Sequence, residues 1–291
     1  MSQVLILYNP LSGNQSGTDC VEILKGYFVG KKLTSLDITA VTDIRKVLGE
    51  LSADDEIVIC GGDGTLNQFV NRIYDLDLVN AVYYYPTGSG NDFLRDLEKT
   101  IADGPVRINE YITDLPCVSV NGKTFRFLNG VGYGIDGYCC EVGEQLRKEG
   151  KKPDYTGMAI KGLLFHYKAT NAKVTVDGKE YSYKRVWIAP TMHGRYYGGG
   201  MMAAPAQKRN NKDGNLSVLL MHKAGRLATL CVFPSIFKGK HINHTGTVAL
   251  HSGHDITVEF DRPVTLQIDG EVIRNVSGYR AFSKVPAKSK K

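Results

Sequence analysis

An acidic side chain set among glycines is the feature of this sequence that most directly suggests chemistry. Residues 57–73 read IVICGGDGTLNQFVNRI, in which small and apolar residues end in GGDGT at 61–65 and apolar residues then recur at helical spacing. The pattern predicts a strand, a tight glycine turn and a helix. Glycines let the backbone approach a ligand closely, and the N-terminal end of a helix favours phosphate.

The acid in this turn is Asp63. A carboxylate repels phosphate unless a divalent cation lies between the two, so the turn suggests binding of a metal-bound nucleotide. The alternative is that Asp63 only caps the helix that follows. Other parts of the chain have to decide between these interpretations.

Two further polar turns follow predicted strands near the start of the chain. A strand at residues 4–8 leads into NPLSGN at 9–14, and a strand at 81–85 leads into PTGSGND at 86–92. With a strand at 34–40 and helices at 20–28, 43–51 and after 92, these units predict a parallel sheet with right-handed crossovers. Turns that follow parallel strands open on one edge of the sheet, where ligands bind. The residues expected to converge there are Asn9, Ser12, Gly13, Asp63, Thr65, Ser89, Asn91 and Asp92.

The sequence changes character near residue 118, where short alternating strands replace the earlier units. Asn121-Gly122 and Asp177-Gly178 are hairpin turn sequences, flanked by strand patterns at 118–120 and 125–128, and at 174–176 and 181–183. Further strands are predicted at 186–189, 216–221, 247–250, 256–260 and 264–268, and helices at 139–147 and 227–237. We therefore expect an α/β nucleotide-binding domain at residues 1–118 and a mainly antiparallel β-rich domain at 119–291, with a cleft between them.

Composition indicates where in the cell the protein is expected and which partners it favours. The chain has 291 residues with 42% hydrophobic content and no apolar segment near the roughly 20 residues that span a bilayer. Met1 leads directly into a strand without a signal-peptide pattern, and the six cysteines show no paired metal spacing. We therefore expect a cytoplasmic protein with reduced thiols. A net charge of +6 favours anionic partners.

Two segments bear on contact with a membrane surface. Residues 158–167 read MAIKGLLFHY, which suits a lipid gate or a membrane-contacting face, and equally suits an ordinary packed helix. The C-terminal tail carries Lys284, Lys288, Lys290 and Lys291. Clustered lysines attract anionic lipid, so the tail predicts peripheral contact with an anionic membrane.

Several motifs occur in an order that resembles the diacylglycerol kinase catalytic family, which includes sphingosine and ceramide kinases and bacterial soluble lipid kinases. The motifs are NPLSG at 9–13, GGDGTLN at 61–67, PTGSGNDF at 86–93, FLNGVGYGID at 127–136, GGGM at 198–201, DGNL at 213–216 and IDGE at 268–271. The resemblance covers nearly the whole chain. GGDGT is shared with NAD kinases and approximately with phosphofructokinases, whereas the NDF, GGGM and DGE elements separate the lipid kinases from both.

The resemblance implies an ATP- and Mg²⁺-dependent transfer of the γ-phosphate to a lipid hydroxyl, with diacylglycerol as the first acceptor to test. It implies an α/β lobe like that of NAD kinases and phosphofructokinases, followed by a β-sandwich lobe. It also implies a membrane lipid as substrate and no nucleic-acid partner. The oligomeric state stays open, a homodimer included.

Residue roles follow from the same resemblance. The implied nucleotide contacts are Asn9, Ser12, Gly13, Gly62, Gly64, Thr65, Gly88, Ser89 and Asn91. The implied ligands of the catalytic magnesium are Asp63, Asp92 and Asp114, and those of a second, structural magnesium are Asp213 and Asn215. The sequence departs from the family where Gln68 replaces a glutamate, Ser89 replaces a threonine and Asn210 replaces the lysine of some members.

A pair of acids in the second half suggests the proton acceptor of the reaction. The strand predicted at 264–268 ends in Asp269-Gly270-Glu271, and a hydroxyl needs a nearby base to become a good nucleophile. We predict that Glu271 is this general base. In the competing interpretation Asp269 is the base and Glu271 a metal partner, and in a third both belong to a solvated turn.

Two other functions remain open. A kinase for a soluble acceptor would use the same first domain, with polar acceptor contacts in place of an apolar slot. A non-catalytic nucleotide- or lipid-binding module would be favoured by loss of Asp63, Asp92 or Glu271, and all three are present.

Overall fold

The computed structural model describes residues 2–13, 19–88, 90–151 and 153–283. The chain divides into two compact units, residues 1–114 and 115–291. The domain boundary expected from the sequence, after residue 118, lies inside the first strand of the second unit, Cys117–Val120.

The first unit is a five-stranded sheet with helices between the strands. Its elements are β1 (Gln3–Tyr8), α1 (Asp19–Lys25), β2 (Lys32–Asp37), α2 (Ile44–Gly49), β3 (Glu56–Gly61), α3 (Asp63–Ile73), β4 (Ala81–Pro86), α4 (Asp92–Asp96), a 3₁₀ turn (Ile101–Asp103), β5 (Val106–Arg107) and α5 (Asn109–Ile112). The strand order is β2-β1-β3-β4-β5. The first four strands are parallel and β5 is antiparallel to β4, which makes the predicted parallel sheet a mixed one.

Burial explains why these segments take these positions. Residues 57–60 of β3 are fully buried because both faces of this central strand are covered, which is the usual state of a parallel sheet. In α3 the side chains of Leu66, Phe69 and Val70 are buried at helical spacing. The register pairs Tyr8 with Cys60 and Gly61 with Pro86. The turns after β1, β3 and β4 therefore begin at the same edge of the sheet.

The second unit is mainly antiparallel. Its elements are β6 (Cys117–Val120), β7 (Lys123–Arg126), β8 (Gly130–Tyr133), α6 (Ile135–Lys148), α7 (Tyr155–Lys161), one π-helical turn (Gly162–His166), β9 (Thr170–Val176), β10 (Lys179–Val186), β11 (Thr191–Met192), β12 (Tyr196–Tyr197), β13 (Met201–Met202), β14 (Leu216–Met221), α8 (Arg226–Val232), two 3₁₀ helices (Phe233–Lys238 and Lys240–Asn243), β15 (Val248–Gly253), β16 (Asp255–Ile268) and β17 (Glu271–Phe282). Within the described ranges, none of the helices is long and apolar enough to cross a membrane.

Ten of these strands form one antiparallel sheet, in the order β15-β14-β11-β8-β16-β17-β6-β7, with β9 and β10 branching from β16. The branch exists because β16 changes partner along its length. Its first half pairs with β9 and its last residues pair with β8. This arrangement and the mostly parallel first sheet confirm the predicted fold class.

The structure differs from the local predictions for this unit in four ways. Residues 256–260 and 264–268 are one strand, because the chain continues through a register shift around Pro263. The strand β17 was not predicted at all. Residues 187–189 form no strand beyond an isolated bridge at Ile188. The helix predicted at 227–237 changes from α to 3₁₀ at Phe233, because Pro234 has no N–H for the α-helical bond.

Candidate active site

The turn after β1 is hydrogen-bonded to the regions after both β3 and β4. Asn9 Nδ2 donates to Thr65 Oγ1 over 2.8 Å, and Asn9 Oδ1 accepts from the Leu11 N–H over 2.9 Å. The hydroxyls of Ser12 and Thr87 are 2.5 Å apart. The structure therefore brings Asn9, Ser12 and Thr65 together, as the sheet topology predicts.

Two glycines let these turns approach each other. A Cβ atom on Gly88 would lie 2.6 Å from the Cα atom of Gly62, a separation that no side chain tolerates. The turns after β3 and β4 are thus in backbone contact. Gly64 lies in the first helical turn of α3. Gly13 lies in the loop that follows β1, and its φ of 59° is a conformation that favours glycine.

The carboxylate of Asp63 binds the start of α4. Its Oδ2 accepts the N–H of Asp92 over 2.9 Å, and its Oδ1 accepts the N–H of Phe93 over 3.0 Å. Asp63 therefore does cap a helix, but this is the next helix along the chain and not α3. Each carboxylate oxygen has a second lone-pair site, so capping leaves capacity for another ligand.

A second carboxylate lies beside the first. Asp92 is buried, with Arg95 Nη1 at 3.7 Å from its Oδ1. The Tyr84 hydroxyl donates to the Gly61 carbonyl over 3.1 Å. The pKa of the Tyr84 hydroxyl is held well above the usual 10. Burial is the main cause, and the negative charges of neighbouring groups that include Asp63 and Asp92 add to it. The two acids therefore concentrate negative charge at the edge of the sheet.

These groups fit a divalent cation. Mg²⁺ binds carboxylate and carbonyl oxygens, and Asp63 and Asp92 supply the carboxylates. Asn91 has a left-handed backbone with φ at 50°, and its Oδ1 is a buried oxygen that accepts no hydrogen bond from the described residues. A buried amide oxygen of this kind is normally satisfied, so a ligand beside Asn91 would explain it.

Several predicted residues are not part of this group. Asp114 is exposed after α5, and the described residues form no cluster of three or more His, Cys, Asp or Glu side chains that could hold a metal. Ser89 lies outside the described residues. The same is true of the tail lysines that predicted membrane contact, Lys284, Lys288, Lys290 and Lys291.

A cavity of about 490 Å³ adjoins Gly88 and Asn91. Its walls come from α1, from the end of β4 and from α4, and they carry Tyr85, Arg95 and Lys99. Ligand pockets in proteins commonly measure about 300 to 1,000 Å³. Arg95 and Lys99 carry no signal in the sequence, because isolated cations after a helix start are common on protein surfaces.

In the second unit Asp269 anchors a loop. Its carboxylate accepts the N–H groups of Leu128, Asn129 and Gly130 at 2.5, 2.8 and 3.0 Å. Three such bonds fix the segment that enters β8. In this environment the Asp269 carboxylate positions the loop at 128–130.

Glu271 has a different environment. It is exposed as the first residue of β17, where it pairs in register with Ile268 across a two-residue turn. Its charge is close enough to Cys140 to contribute to the raised pKa of that thiol, about 12, for which burial is the main cause. Glu271 is thus an accessible carboxylate on a rigid strand.

Two backbone carbonyl groups at the predicted second magnesium site have hydrogen-bond partners within the chain. The Asn215 carbonyl oxygen accepts from Gln207 Nε2 over 2.7 Å and from Asn211 Nδ2 over 2.9 Å, which uses both of its lone pairs. The Asp213 carbonyl oxygen is 2.6 Å from His254 Nε2. Residues 211–214 form a turn closed by the Gly214 N–H, which is the simpler account of this sequence.

Two buried polar groups of the second unit were not assigned a role from the sequence. Asp136 accepts from the Tyr197 hydroxyl over 2.7 Å, and burial raises its pKa to about 7. Arg209 is buried and donates to the Leu128 carbonyl and to Asn129 Oδ1. The motif 127–136 contains Asp136 and pointed to it, whereas nothing local marks Arg209.

Comparison with known proteins agrees with this arrangement. The diacylglycerol kinase catalytic domain matches residues 3–114, and the YegS C-terminal NAD kinase beta sandwich-like domain matches residues 129–286, which is more than half of the chain. "Putative lipid kinase YtlR" of Bacillus subtilis strain 168 is 22% identical over 315 residues, with 100% of both chains covered. "Diacylglycerol kinase" of the same strain is 25% identical over 281 residues, covering 93% of this chain and 90% of the relative.

The fold is shared with a solved structure. The crystal structure of "a putative diacylglycerol kinase from Bacillus anthracis str. Sterne" matches with a TM-score of 0.70 and 20% identity, covering 97% of this chain and 92% of the other. Two domain matches in the family's order, together spanning most of the sequence, settle the assignment. The chain belongs to the diacylglycerol kinase family of lipid kinases.

Proposed function

We propose that this protein is an ATP- and Mg²⁺-dependent lipid kinase that transfers the γ-phosphate of ATP to a lipid hydroxyl, with diacylglycerol as the acceptor. The observation that supports the proposal most is the pair Asp63 and Asp92, in which the backbone N–H of Asp92 donates a hydrogen bond to Asp63 Oδ2 over 2.9 Å, beside the glycine turns at Gly62 and Gly88. Carboxylates beside a phosphate-binding turn would repel phosphate, unless a divalent cation binds to both the carboxylates and the phosphate.

In this proposal the turns of the first unit bind the nucleotide. Gly62 and Gly88 leave room for phosphate oxygens because neither has a side chain, and the polar groups of Asn9, Ser12 and Thr65 supply hydrogen bonds. Asp63 and Asp92, with Asn91 beside them, would hold magnesium, which would neutralise charge that develops on the phosphoryl group. Asp63 also fixes the start of α4, so the same carboxylate serves both the helix and the metal in this proposal.

Glu271 is the proposed general base. The lipid hydroxyl gives its proton to the Glu271 carboxylate while its oxygen bonds to the γ-phosphorus, and the bond from that phosphorus to the bridging oxygen of ADP breaks. A positioned base contributes about 10² to 10⁴-fold to such a step. Asp269 acts through the loop it anchors, as a positioning residue.

The test measures transfer of labelled γ-phosphate from ATP to diacylglycerol in mixed micelles, for wild type, Asp63→Asn and Asp77→Asn. Asp77 is an exposed acid of the same unit and serves as the control. We expect Asp63→Asn to lower the transfer rate by about 10³-fold or more, since alignment of the metal provides most of the charge stabilisation.

Asp77→Asn should keep the wild-type rate. Circular dichroism of each variant establishes that it is folded, because the amide introduced by Asp63→Asn would place an N–H₂ group against one backbone N–H of α4. Wild-type turnover by a folded Asp63→Asn protein at saturating Mg²⁺ would remove the proposed role of this residue.

A further inference from the structure

The second unit exposes several large apolar side chains on neighbouring helical segments. The side chain of Phe165 in the π-helical turn is 72% exposed, and that of Leu227 in α8 is 75% exposed. The apolar-basic face is defined here as the exposed apolar residues Ile160, Phe165, Leu227, Phe237 and Ile242 together with the exposed lysines Lys161, Lys168, Lys223, Lys238 and Lys240.

The segments that carry this face are packed together. The turn of π-helix closes with the Tyr167 N–H donating to the Gly162 carbonyl over 2.8 Å, and α8 packs against this turn. Arg226 at the start of α8 donates to the Leu163 carbonyl and lies 5.5 Å from the ring of the buried Trp187. Phe165 and Leu227 are therefore held on a fixed support although their side chains are exposed.

The charged residues of the segments that carry this face are all lysine and arginine. Residues 155–176 and 214–254 contain no Asp or Glu, although they carry the five lysines of the face. Two exposed arginines elsewhere in the unit do have acidic partners. Arg274 pairs with Glu141 and Glu144, and Arg280 pairs with Asp255. An apolar patch with a rim of unbalanced lysines matches the two layers of a lipid surface, anionic head groups above acyl chains.

We propose that the apolar-basic face docks on the surface of an anionic lipid bilayer, with Phe165 and Leu227 entering the boundary between head groups and acyl chains. The inference rests on the proposed function in one respect, because an enzyme that phosphorylates a membrane lipid has to reach it in the bilayer. A second copy of this chain fits the apolar-basic face less well than an anionic bilayer does. Two copies joined through this face would bring ten lysines together without an acid, and like charges repel.

The experiment is co-sedimentation of the full chain with vesicles of phosphatidylcholine alone or with phosphatidylglycerol mixed in, without ATP. Wild type should bind the mixed vesicles and lose binding as salt rises. Phe165→Ser and Leu227→Ser should each weaken binding by about tenfold, since each removes one inserted apolar side chain. Lys238→Glu should weaken it by more than fivefold, on the basis of about fivefold for each cation lost near an anionic surface.

Val79→Ser is the matched control, because Val79 is 71% exposed in the first unit. The proposal is wrong if Phe165→Ser and Leu227→Ser bind as Val79→Ser does, or if they change the oligomeric state of the protein in solution. A parallel assay uses a water-dispersed short-chain diacylglycerol, on which the docking variants should be as active as wild type. Vesicle binding without any phosphate transfer would overturn the proposed function and leave the docking face standing.

Discussion

Asp269 and Glu271 are two residues apart, and the structure gives their carboxylates opposite environments. Asp269 accepts three backbone N–H groups within 3.0 Å, so its charge is used to hold the loop at 128–130. Glu271 is exposed at the start of β17. The two acids of the IDGE motif therefore have separable roles, and substitutions at the two positions should impair different properties of the protein.

We predict that Glu271→Gln lowers the rate of phosphate transfer by about 10² to 10⁴-fold with little change in ATP binding, because the amide keeps the size of the side chain but takes no proton. Asp269→Asn should instead lower the free energy of unfolding by about 1 to 3 kcal/mol, since its amide N–H₂ would face backbone donors. Chemical denaturation and transfer kinetics on each variant separate these effects.

Glu259→Gln is the control, because Glu259 is an exposed glutamate on the neighbouring strand β16. If the glutamine variant at 271 turned over normally and the folded asparagine variant at 269 did not, the base would be Asp269. The competing interpretation from the sequence would then be the right one.

The ionisation of Asp136 should couple to stability between acid and neutral pH. It is buried, which raises its pKa from 3.8 to about 7, while the bond from Tyr197 acts in the opposite direction. The folded protein therefore keeps this proton at a pH where the unfolded chain has lost it. Stability associated with protonated Asp136 is lost as pH rises from about 4 towards 7 and does not return above that.

We predict that Asp136→Asn stabilises the protein relative to wild type at pH 8 but not at pH 4, because asparagine stays neutral. The change should amount to a few kcal/mol, at about 1.4 kcal/mol for each pH unit between the two pKa values. Urea denaturation across this pH range measures it, with the exposed Asp77→Asn as control. Equal pH dependence in wild type and Asp136→Asn would show that Asp136 ionises normally in the folded state.

At the scale of elements, three turns of one type organise the second unit. Asn121-Gly122, Asp177-Gly178 and Asp269-Gly270 all have positive φ at both positions, between 46° and 97°. This is the geometry of the two-residue hairpin turn that matches strand twist. The first two turns were predicted from this rule, whereas Asp269-Gly270 was interpreted only through a chemical role for Asp269 and Glu271. Applied consistently, the rule would have predicted β17.

Other differences could not have been found from local sequence. Strand β16 passes through Arg262-Pro263 without ending, since the register shifts between Glu259 and Val264 and leaves no ladder bond that Pro263 would have to donate. Proline in a strand pattern normally indicates an end. Its accommodation depends on this shift against β17 and on the change of partner from β9 to β8, two strands that precede β16 by many residues in the sequence.

Gly88 tests the close approach of the nucleotide turns. We predict that Gly88→Ala lowers the free energy of unfolding by about 1 to 3 kcal/mol, because its Cβ would meet the backbone of Gly62. It should weaken ATP binding at least about tenfold through the displaced turn. Isothermal titration with ATP and thermal unfolding measure the two effects.

Gly49→Ala is the control for this prediction. A Cβ at Gly49, which ends α2, would meet no atom within 4 Å, so this variant should be as stable as wild type or slightly more so. Wild-type ATP affinity in a folded Gly88→Ala protein would mean that the contact between the turns is unrelated to the nucleotide.

At the scale of the molecule, the sequence predicted which residues meet in the first unit better than how they meet. The strand order brings Asn9, Thr65 and Asp63 to one edge, and this follows from a general rule for parallel sheets. The particular bonds do not follow from that rule. That Asp63 caps α4 and that Arg209 holds Asn129 depend on packing between segments that are distant in the chain.

The measurement that tests the central claim most directly is a competition among acceptors for labelled γ-phosphate from ATP. The panel contains diacylglycerol, sphingosine and ceramide in mixed micelles, with NAD and glycerol as soluble acceptors, each with Mg²⁺ and with excess chelator. We predict label in diacylglycerol above all other acceptors, lost on chelation. Preferential phosphorylation of NAD or glycerol over every lipid would contradict the account.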